Sequence, residues 1–431
     1  MVNSVSSIKF DITTTDLVSI SDYITITLPS SVSLSTFNSA AVSTTFGIDS
    51  TKTSYAYPTI SVYFPTTTGI SQLPAGSNIF ITVPNFVAPP STQNTADFTL
   101  NYLSSSGYPK MTSTQTITAV AGTLSGTVAP TNAAISQVTT YTFSVTIPNP
   151  LTSSGSIKIA FPSQLSVANN PSCAVLTGTS MALGPTCTYS ALDNSMTFSA
   201  INSSSSNIPA QTFTLAVSGI TNPPSTSTTG SFSLTTFYDS TNVQVDTGSI
   251  SGVTSTPGTI DHTKAAVSSS SVVNSDSPVT YSLSFVVSNP IPAGGYIIAH
   301  FPTSVVFDTT AANSGCQIAI NTSTASSTTC SASLGSSYVF NFTNPLSTEA
   351  VAGTTITLSI AGAATNPPST QPFSPFSLFT YHSDGSIIAS MVNALQYATT
   401  TASAFTFNQF SRLSDTNAAL TTYSLNLIQI A

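Results

Sequence analysis

The sequence predicts an all-β protein, built from tandem two-sheet sandwich domains with almost no helix, on three observations. Charged residues make up 5% of the 431 positions, against about a quarter in an ordinary soluble domain, while Ser and Thr together supply roughly a third. Lys and Glu, which usually decorate helices, are nearly absent beside abundant Val, Ile, Thr, Phe and Tyr, the residues that favour strands. Three segments, Ile8 to Pro29, Tyr141 to Pro162 and Tyr281 to Pro302, align without gaps at offsets of 133 and 140 positions.

Each aligned segment opens on a strand. Ile8, Phe10 and Ile12 correspond to Tyr141, Phe143 and Val145, and to Tyr281, Leu283 and Phe285. Polar residues separate them, which is the period of a half-buried strand. A second strand ends in proline in every copy, at Pro29, Pro162 and Pro302, where the missing N–H stops ladder pairing. Asn149-Pro150 with Gly155, and Asn289-Pro290 with Gly295, supply turn chemistry between those strands. The first copy has Thr13-Thr14-Thr15-Asp16 there, so its loop is expected to differ.

A further block recurs as Ala88-Pro89-Pro90-Ser91-Thr92, Asn222-Pro223-Pro224-Ser225-Thr226 and Asn366-Pro367-Pro368-Ser369-Thr370. A strand beginning near Phe98, Phe232 or Phe376 follows it. Terminal strands are expected near Gln115 to Val120, Val243 to Ile250 and Ser386 to Ala394. About seven short strands in each ~140 residues point to an immunoglobulin-like architecture. The resulting domains are residues 1–122, 123–258 and 259–400. Residues 401–431 repeat a lead-in and first strand: Thr416-Asn417-Ala418-Ala419 and Tyr423-Ser424-Leu425 echo Thr131-Asn132-Ala133-Ala134 and Tyr141-Thr142-Phe143.

Cys173 and Cys187 are 14 positions apart, as are Cys316 and Cys330, at equivalent places in the second and third repeats. One disulfide per repeat is the simplest connectivity and implies an oxidising compartment. A zinc site would need four ligands close together, so no metal is expected. Acceptors for N-glycans occur at Asn202, Asn321 and Asn341. Asn321 lies inside a Cys-to-Cys loop, and Asn341 alternates with Phe340 and Phe342 and should point outward. Ser91, Thr92, Ser225, Thr226, Ser369 and Thr370 in the Pro-Pro blocks, with Ser203 to Ser206, are candidate O-glycan carriers, because exposed Pro beside Ser/Thr marks mucin-like stretches.

The formal charge of −8, with five Lys and one Arg scattered along the chain, excludes nucleic acid as a partner. No run approaches the ~20 apolar residues that cross a bilayer. Met1-Val2-Asn3-Ser4 opens no leader, as expected if the numbering starts inside a longer precursor. His262, His300 and His382 occupy unrelated places in the repeat, and no catalytic or phosphate-binding motif occurs, so neither an enzyme nor a cofactor is expected.

The units running from Asn149-Pro150 through Gly155 to Phe161-Pro162-Ser163, and from Asn289-Pro290 through Gly295 to Phe301-Pro302, resemble those of very large surface proteins of ciliates and other protists. Those are Ser/Thr-rich proteins with tandem immunoglobulin-like domains, and algal mastigoneme filament proteins are similar in style. The resemblance implies an extracellular, glycosylated, fibre-forming or coat role, and implies no catalytic residue. The leading expectation is therefore a subunit of an extracellular filament whose partners are copies of itself. The link is either covalent, in a longer array, or made by adding the strand that holds Tyr423, Leu425, Leu427 and Ile430 to a neighbour's sheet. Repeat one already owns a first strand, so the covalent array is favoured. A cell-surface adhesin that binds glycans is the alternative.

Overall fold

The computed structural model describes residues 1–19, 21–65, 72–202, 207–343, 345–399, 401–402, 405–412 and 423–429. Their regular structure is almost entirely strand, arranged as tandem immunoglobulin-like sandwiches with three hydrophobic cores. By contact the chain forms two compact units. One holds Met1–Thr131, Thr139–Ile220 and Gly230–Val253; the other holds Asn132–Val138, Thr221–Thr229 and Thr254–Ala431.

Repeat one contains β1 (Val5–Thr13), β2 (Tyr23–Thr27), β3 (Thr59–Tyr63), β4 (Asn78–Val87), β5 (Phe98–Leu103) and β6 (Pro109–Gln115). β1 and β4 form one sheet with the short strands Ser33–Leu34 and Ser43–Thr44, and the order β6-β5-β2-β3, continued by the short strand Ser54–Ala56, forms the other. Ile24, Ile26, Ile60 and Val62 from the second sheet share a core with Ile79, Ile81 and Val83 of the first. The terminal strand is not the expected Gln115 to Val120 but β6, which begins at Pro109. A proline is tolerated there because β6 pairs with β5 alone and opens at its first residue.

Repeat two contains β7 (Gly122–Pro130), β8 (Val138–Ile147), β9 (Ser156–Ala160), β10 (Cys173–Thr177), β11 (Thr186–Ser190), β12 (Ser195–Ser199), β13 (Gln211–Thr221), β14 (Phe232–Phe237) and β15 (Gln244–Ile250). β7 joins the two sheets. Its first residues run parallel to β15, pairing Gly122 with Asp246, and its later ones run antiparallel to β8, pairing Val128 with Phe143. β8 alternates as the sequence requires, with Tyr141, Phe143, Val145 and Ile147 all buried. Phe143 and Phe232 meet edge to face across the core at 5.4 Å.

Repeat three contains β16 (Gly258–Thr259), β17 (Ala265–Ser269), β18 (Val279–Val286), β19 (Tyr296–Phe301), α1 (Thr309–Gly315), β20 (Cys316–Ile320), β21 (Cys330–Leu334), β22 (Tyr338–Phe342), β23 (Thr355–Thr365), β24 (Phe373–Tyr381) and β25 (Ile387–Tyr397). The lead-in again changes sheets: β16 runs parallel to β25 and β17 antiparallel to β18, with a 3-10 turn at His262–Lys264 between them. α1 is one short helix, started by Asp308, whose carboxylate accepts from the N–H groups of Thr310 and Ala311. Beyond it lie β26 (Phe405–Arg412) and β27 (Tyr423–Gln429), an antiparallel pair.

Both disulfides form, Cys173–Cys187 with Cα atoms 6.4 Å apart and Cys316–Cys330 with 6.1 Å. Each does more than close a loop. β10 pairs with β13 while β11 pairs with β12, and β20 pairs with β23 while β21 pairs with β22. Each bond therefore ties one sheet of its sandwich to the other.

The crossing point of β7 is the tightest place in repeat two. A Cβ on Gly122 would run into the Asp246 carboxylate and the Asn149 amide, and one on Gly258 into the Asn289 amide. Only glycine lets the lead-in pass. Asp246 is fully buried and accepts hydrogen bonds from Asn149 Nδ2 at 2.6 Å and Thr236 Oγ1 at 3.2 Å. Its neighbours there are neutral, so burial prevails over these bonds and raises its pKa. With the folded pKa above the unfolded one, the folded chain keeps a proton where the unfolded chain has lost it. That contribution is fully present at low pH and declines as pH rises through the window. Asp246→Asn should therefore gain on the wild type between acid and neutral pH, measured as the difference in urea midpoints; a difference that is flat with pH would contradict this.

Candidate functional site

The recurring features of this chain converge on the places where one repeat meets the next. Asn3, Ser136 and Ser275 hold positive φ values of 50°, 56° and 60°. Each donates its N–H to the first proline carbonyl of a Pro-Pro block, Pro89 at 3.1 Å, Pro223 at 3.1 Å and Pro367 at 3.0 Å. The residue before each donates to the chain leaving the same repeat: Val2 to Val120 O, Ile135 to Thr256 O and Asn274 to Thr401 O. The entry and exit of every repeat are thus stitched to its Pro-Pro block.

In the later repeats a buried asparagine reinforces the stitch. Asn222 Nδ2 donates to the carbonyls of Asn132 and Ala134 at 2.8 and 2.7 Å, and Asn366 Nδ2 to those of Ser271 and Val273 at 3.0 and 2.7 Å. Tyr281 donates its hydroxyl to Asn366 Oδ1. Repeat one carries Ala88 at this position.

The Ser-Thr half of the block reaches forward. Thr92 donates from both N–H (2.9 Å) and hydroxyl (3.1 Å) to the carbonyl of Gln244, the first residue of β15. Thr226 N–H donates to the carbonyl of Ile387, the first residue of β25, at 3.3 Å. Ser227 adds a hydroxyl bond to Asp384 at 3.0 Å. The Asp384 carboxyl is held down to about 2, chiefly by the Ser386 hydroxyl and N–H, with Ser227 contributing. The expectation of exposed O-glycan carriers is therefore corrected for this block: Ser91 and Ser225 are buried and Thr92 and Thr226 half-buried, because the block is a joint. Ser369 and Thr370 are exposed.

Of the other candidates, Asn321 is exposed on a positive-φ turn, and its Oδ1 accepts from Thr355 N–H at 3.0 Å. Asn341 does lie on the face opposite Phe340 and Phe342, but it is half-buried between Ile298 and Ser331 and its Oδ1 is enclosed without a partner. It thus lies on the expected face, in the middle of a strand paired on both sides. Asn202 is half-buried and bridges Met181. Tyr423, Leu425 and Leu427 pair through β27 with Arg412, Phe410 and Phe407. Ile430 and Ser203 to Ser206 lie outside the described residues.

The second feature is a groove in repeat one. Among the described residues, no strand pairs with the outer edge of β1 or of β6. The space between them forms two adjoining hollows of about 200 and 340 Å3, floored by Ile12, Leu100 and Met111 and by Ile8, Phe10 and Phe98. Ile8, Phe10, Ile12 and Leu100 are only half-buried. Their counterparts Tyr141, Phe143, Val145 and Leu234, and Tyr281, Leu283, Phe285 and Leu378, are all fully buried. The difference is the lead-in strand, which covers those positions in repeats two and three.

At the rim, Asp22 binds Lys110 Nζ at 2.6 Å, the Tyr102 hydroxyl and the Ser105 N–H. Burial opposes its charge, but Lys110, Tyr102 and Ser105 outweigh it and hold the carboxyl below its usual range. Burial, with Asp22 beside it, pushes the Tyr102 hydroxyl well up. Among the described residues, no three His, Cys, Asp or Glu side chains converge as a metal site would require, and His300 is half-buried beside Phe379, its pKa lowered by burial.

No protein-family profile matches the chain, and no curated protein matches it. Solved structures similar to parts of it include the C-terminal domain of the Streptococcus agalactiae AgI/II polypeptide BspA, at 8% identity over 64% of this chain and 96% of that one, TM-score 0.22. The serine-rich repeat protein Srr2 of the same organism gives 13% identity, covering 65% of this chain and 96% of that one, TM-score 0.20. A putative membrane anchored protein from Corynebacterium diphtheriae gives 14% identity, covering 92% and 85%, TM-score 0.20. Overlaps this low carry no function to the chain, and the fold rests on the strand pairing above.

The joint makes a direct prediction. Thr92→Pro removes both donors to Gln244, each worth about 0.5–1.5 kcal/mol. Amide exchange should accelerate around residues 88–95 by roughly ten- to a hundredfold while β8 and β18 keep their protection; an unchanged rate at the joint would contradict its role.

Proposed function

We propose that this chain is a structural segment of an extracellular, glycan-bearing filament or surface coat, in which sandwich repeats are linked end to end through the Pro-Pro-Ser-Thr joint. The observation that carries the reading is the recurrence of one bonding scheme. Thr92 to Gln244 and Thr226 to Ile387 connect a Pro-Pro block to the first residue of the next repeat's last strand. A joint copied at successive steps is what a quasi-one-dimensional array requires.

Three further properties support it. Two inter-sheet disulfides suit an oxidising compartment. The surface is hydrated by hydroxyls, with 5% charged residues in the whole chain. Asn321 stands exposed on a turn, as an N-glycan acceptor would. In this reading the chain performs no catalysis, and its partners are further copies or further repeats of its own kind.

Immunogold electron microscopy of the native source, with antibodies raised against the chain, checks the proposal. Labelled extracellular filaments or a continuous coat, together with a mass shift on enzymatic deglycosylation, are the expected result. Labelling confined to the cell interior would overturn it, and labelling only at cell contacts, with specific binding on a glycan array, would favour an adhesin.

A further inference from the structure

We infer that Asn341 carries an N-linked oligosaccharide whose first sugars lie over the apolar outer face of repeat three and cover it. The inference rests on the glycan-bearing reading above and deepens it, by naming the site and what the sugar does there.

The outer face of this sheet departs from its counterparts. On β19, Tyr296, Ile298 and His300 alternate with the buried Ile297, Ala299 and Phe301, so they face away from the core. Tyr296 stands opposite Tyr381 of β24, with the rings stacked at 4.7 Å. Ile298 stands opposite Phe379, whose ring lies 5.2 Å from that of His300. Val339 of β22 pairs with His300 and extends the same surface. All six are half-buried. The middle row reads Phe379, Ile298, Asn341 across β24, β19 and β22. The equivalent row is Thr235, Lys158, Thr197 in repeat two and Asn101, Thr25, Ser61 in repeat one, polar throughout. In a chain whose surface is hydrated by hydroxyls, an apolar face of this kind marks a place that something covers.

The acceptor arrives in the same row as the apolar residues. Asn341-Phe342-Thr343 is an N-x-[ST] sequence, whereas Ser61 and Thr197 at the equivalent positions are no acceptors. Asparagine is a poor strand former, and the enclosed Oδ1 of Asn341 makes no hydrogen bond, so the residue does little for the strand that holds it. Its side chain lies on the outward face, beside Ile298 on one strand and Ser331 on the other. Phe379 is two strands away, about 10 Å at the usual strand spacing, within reach of the first sugars. The C–H edges of a pyranose ring carry partial positive charge and rest on the negative face of an aromatic ring, while the hydroxyls turn to water. An attached glycan thus gives this face the hydroxyl surface that the other repeats build from Ser and Thr.

Attachment requires a glycosyl diphosphate as donor. The bond between sugar C1 and the diphosphate oxygen breaks, C1 bonds to Asn341 Nδ2, the diphosphate departs as an anion and the displaced amide proton goes to solvent. Transfer to the chain before it folds is not barred by strand pairing, and the folded sheet needs only room above its outward face.

Site mapping on the native protein tests the attachment. Enzymatic release of N-glycans in heavy-oxygen water converts each glycosylated asparagine to a labelled aspartate, and Asn341 should be among those labelled. A hydrophobic dye such as ANS tests the cover. Its fluorescence should rise severalfold when the glycans are released from the folded protein, and equally in Asn341→Gln produced in the same source. Asn321→Gln is the control and should leave the dye signal unchanged. Adding Ile298→Lys and Phe379→Thr, the residues of repeat two, to Asn341→Gln should return the signal to the native level, which a folding defect would not do.

An unlabelled Asn341 would overturn the inference, and a labelled Asn341 whose release leaves the dye signal flat would overturn the covering role. An unlabelled Asn341 on a chain that self-associates until Ile298→Lys and Phe379→Thr are introduced would assign the face to a second copy instead. These outcomes are separable from the functional proposal. Asn341 bare while other asparagines are labelled sinks only this site, and Asn341 labelled on a protein found in no filament or coat sinks only the structural role.

Discussion

The lead-in strand's passage from one sheet to the other is the constraint on which the rest of each sandwich depends. A sandwich has two open edges at this corner, and one strand that changes partner halfway along closes both. In repeat two the change happens at Gly122 to Leu124 against β15 and at Ser125 to Pro130 against β8. Everything apolar beneath it is sealed as a result, and Leu234, Tyr141 and Phe143 reach full burial. Among the described residues no strand covers that place in repeat one, and Ile8, Phe10, Ile12 and Leu100 are half-buried there. Burial here is set by the partner strand more than by side-chain chemistry.

Much of this is legible in the sequence because period-two alternation survives wherever a strand has one buried face. Tyr141-Thr142-Phe143-Ser144-Val145 and Tyr281-Ser282-Leu283-Ser284-Phe285 read as strands and are strands, and their spacing marks out the tandem sandwiches. The lead-in is not legible. Gly122-Thr123-Leu124-Ser125-Gly126 has two glycines and no aromatic, so it reads as linker, yet its glycines are what let it cross between sheets. The Pro-Pro-Ser-Thr blocks mislead for a related reason. Their composition is that of an exposed turn, and only the tertiary arrangement shows Ser91 and Ser225 enclosed by a joint. β6 departs from its expected place because Lys110 to Gln115 lacks the apolar alternation that marks a covered strand.

The disulfides show how far spacing alone can reach. The 14-residue separation is enough to pair the cysteines, but not to show that each pair bridges opposing sheets. That depends on β10 and β11, and β20 and β21, parting to different sheets after a turn. A short loop closed by a disulfide loses unfolded-state entropy, worth about 3 kcal/mol in the chain-entropy account. Because the bridge also spans the sandwich, it restrains the sheets from sliding apart at the end away from the lead-in.

Repeat one has no cysteine pair and carries Ala88 where the later repeats have the clamp asparagine, and it has an ion pair of its own at one corner. Asp22 takes the place of Gly155 and Gly295, and Tyr102 and Met111 take the places of Thr236 and Asp246. The exchange turns a corner where a buried carboxyl meets only uncharged partners into an ion-paired one, in which Lys110 from β6 reaches the carboxylate beside β2 with Tyr102 of β5 between them. Three strands of one sheet are thereby pinned from the rim instead of from the covering strand. The carboxylate is buried but the lysine is partly exposed, so the pair escapes the full desolvation cost of an interior ion pair. A corner held this way fixes β6 against β5 and β2 with no strand paired to the outer edge of β6 among the described residues.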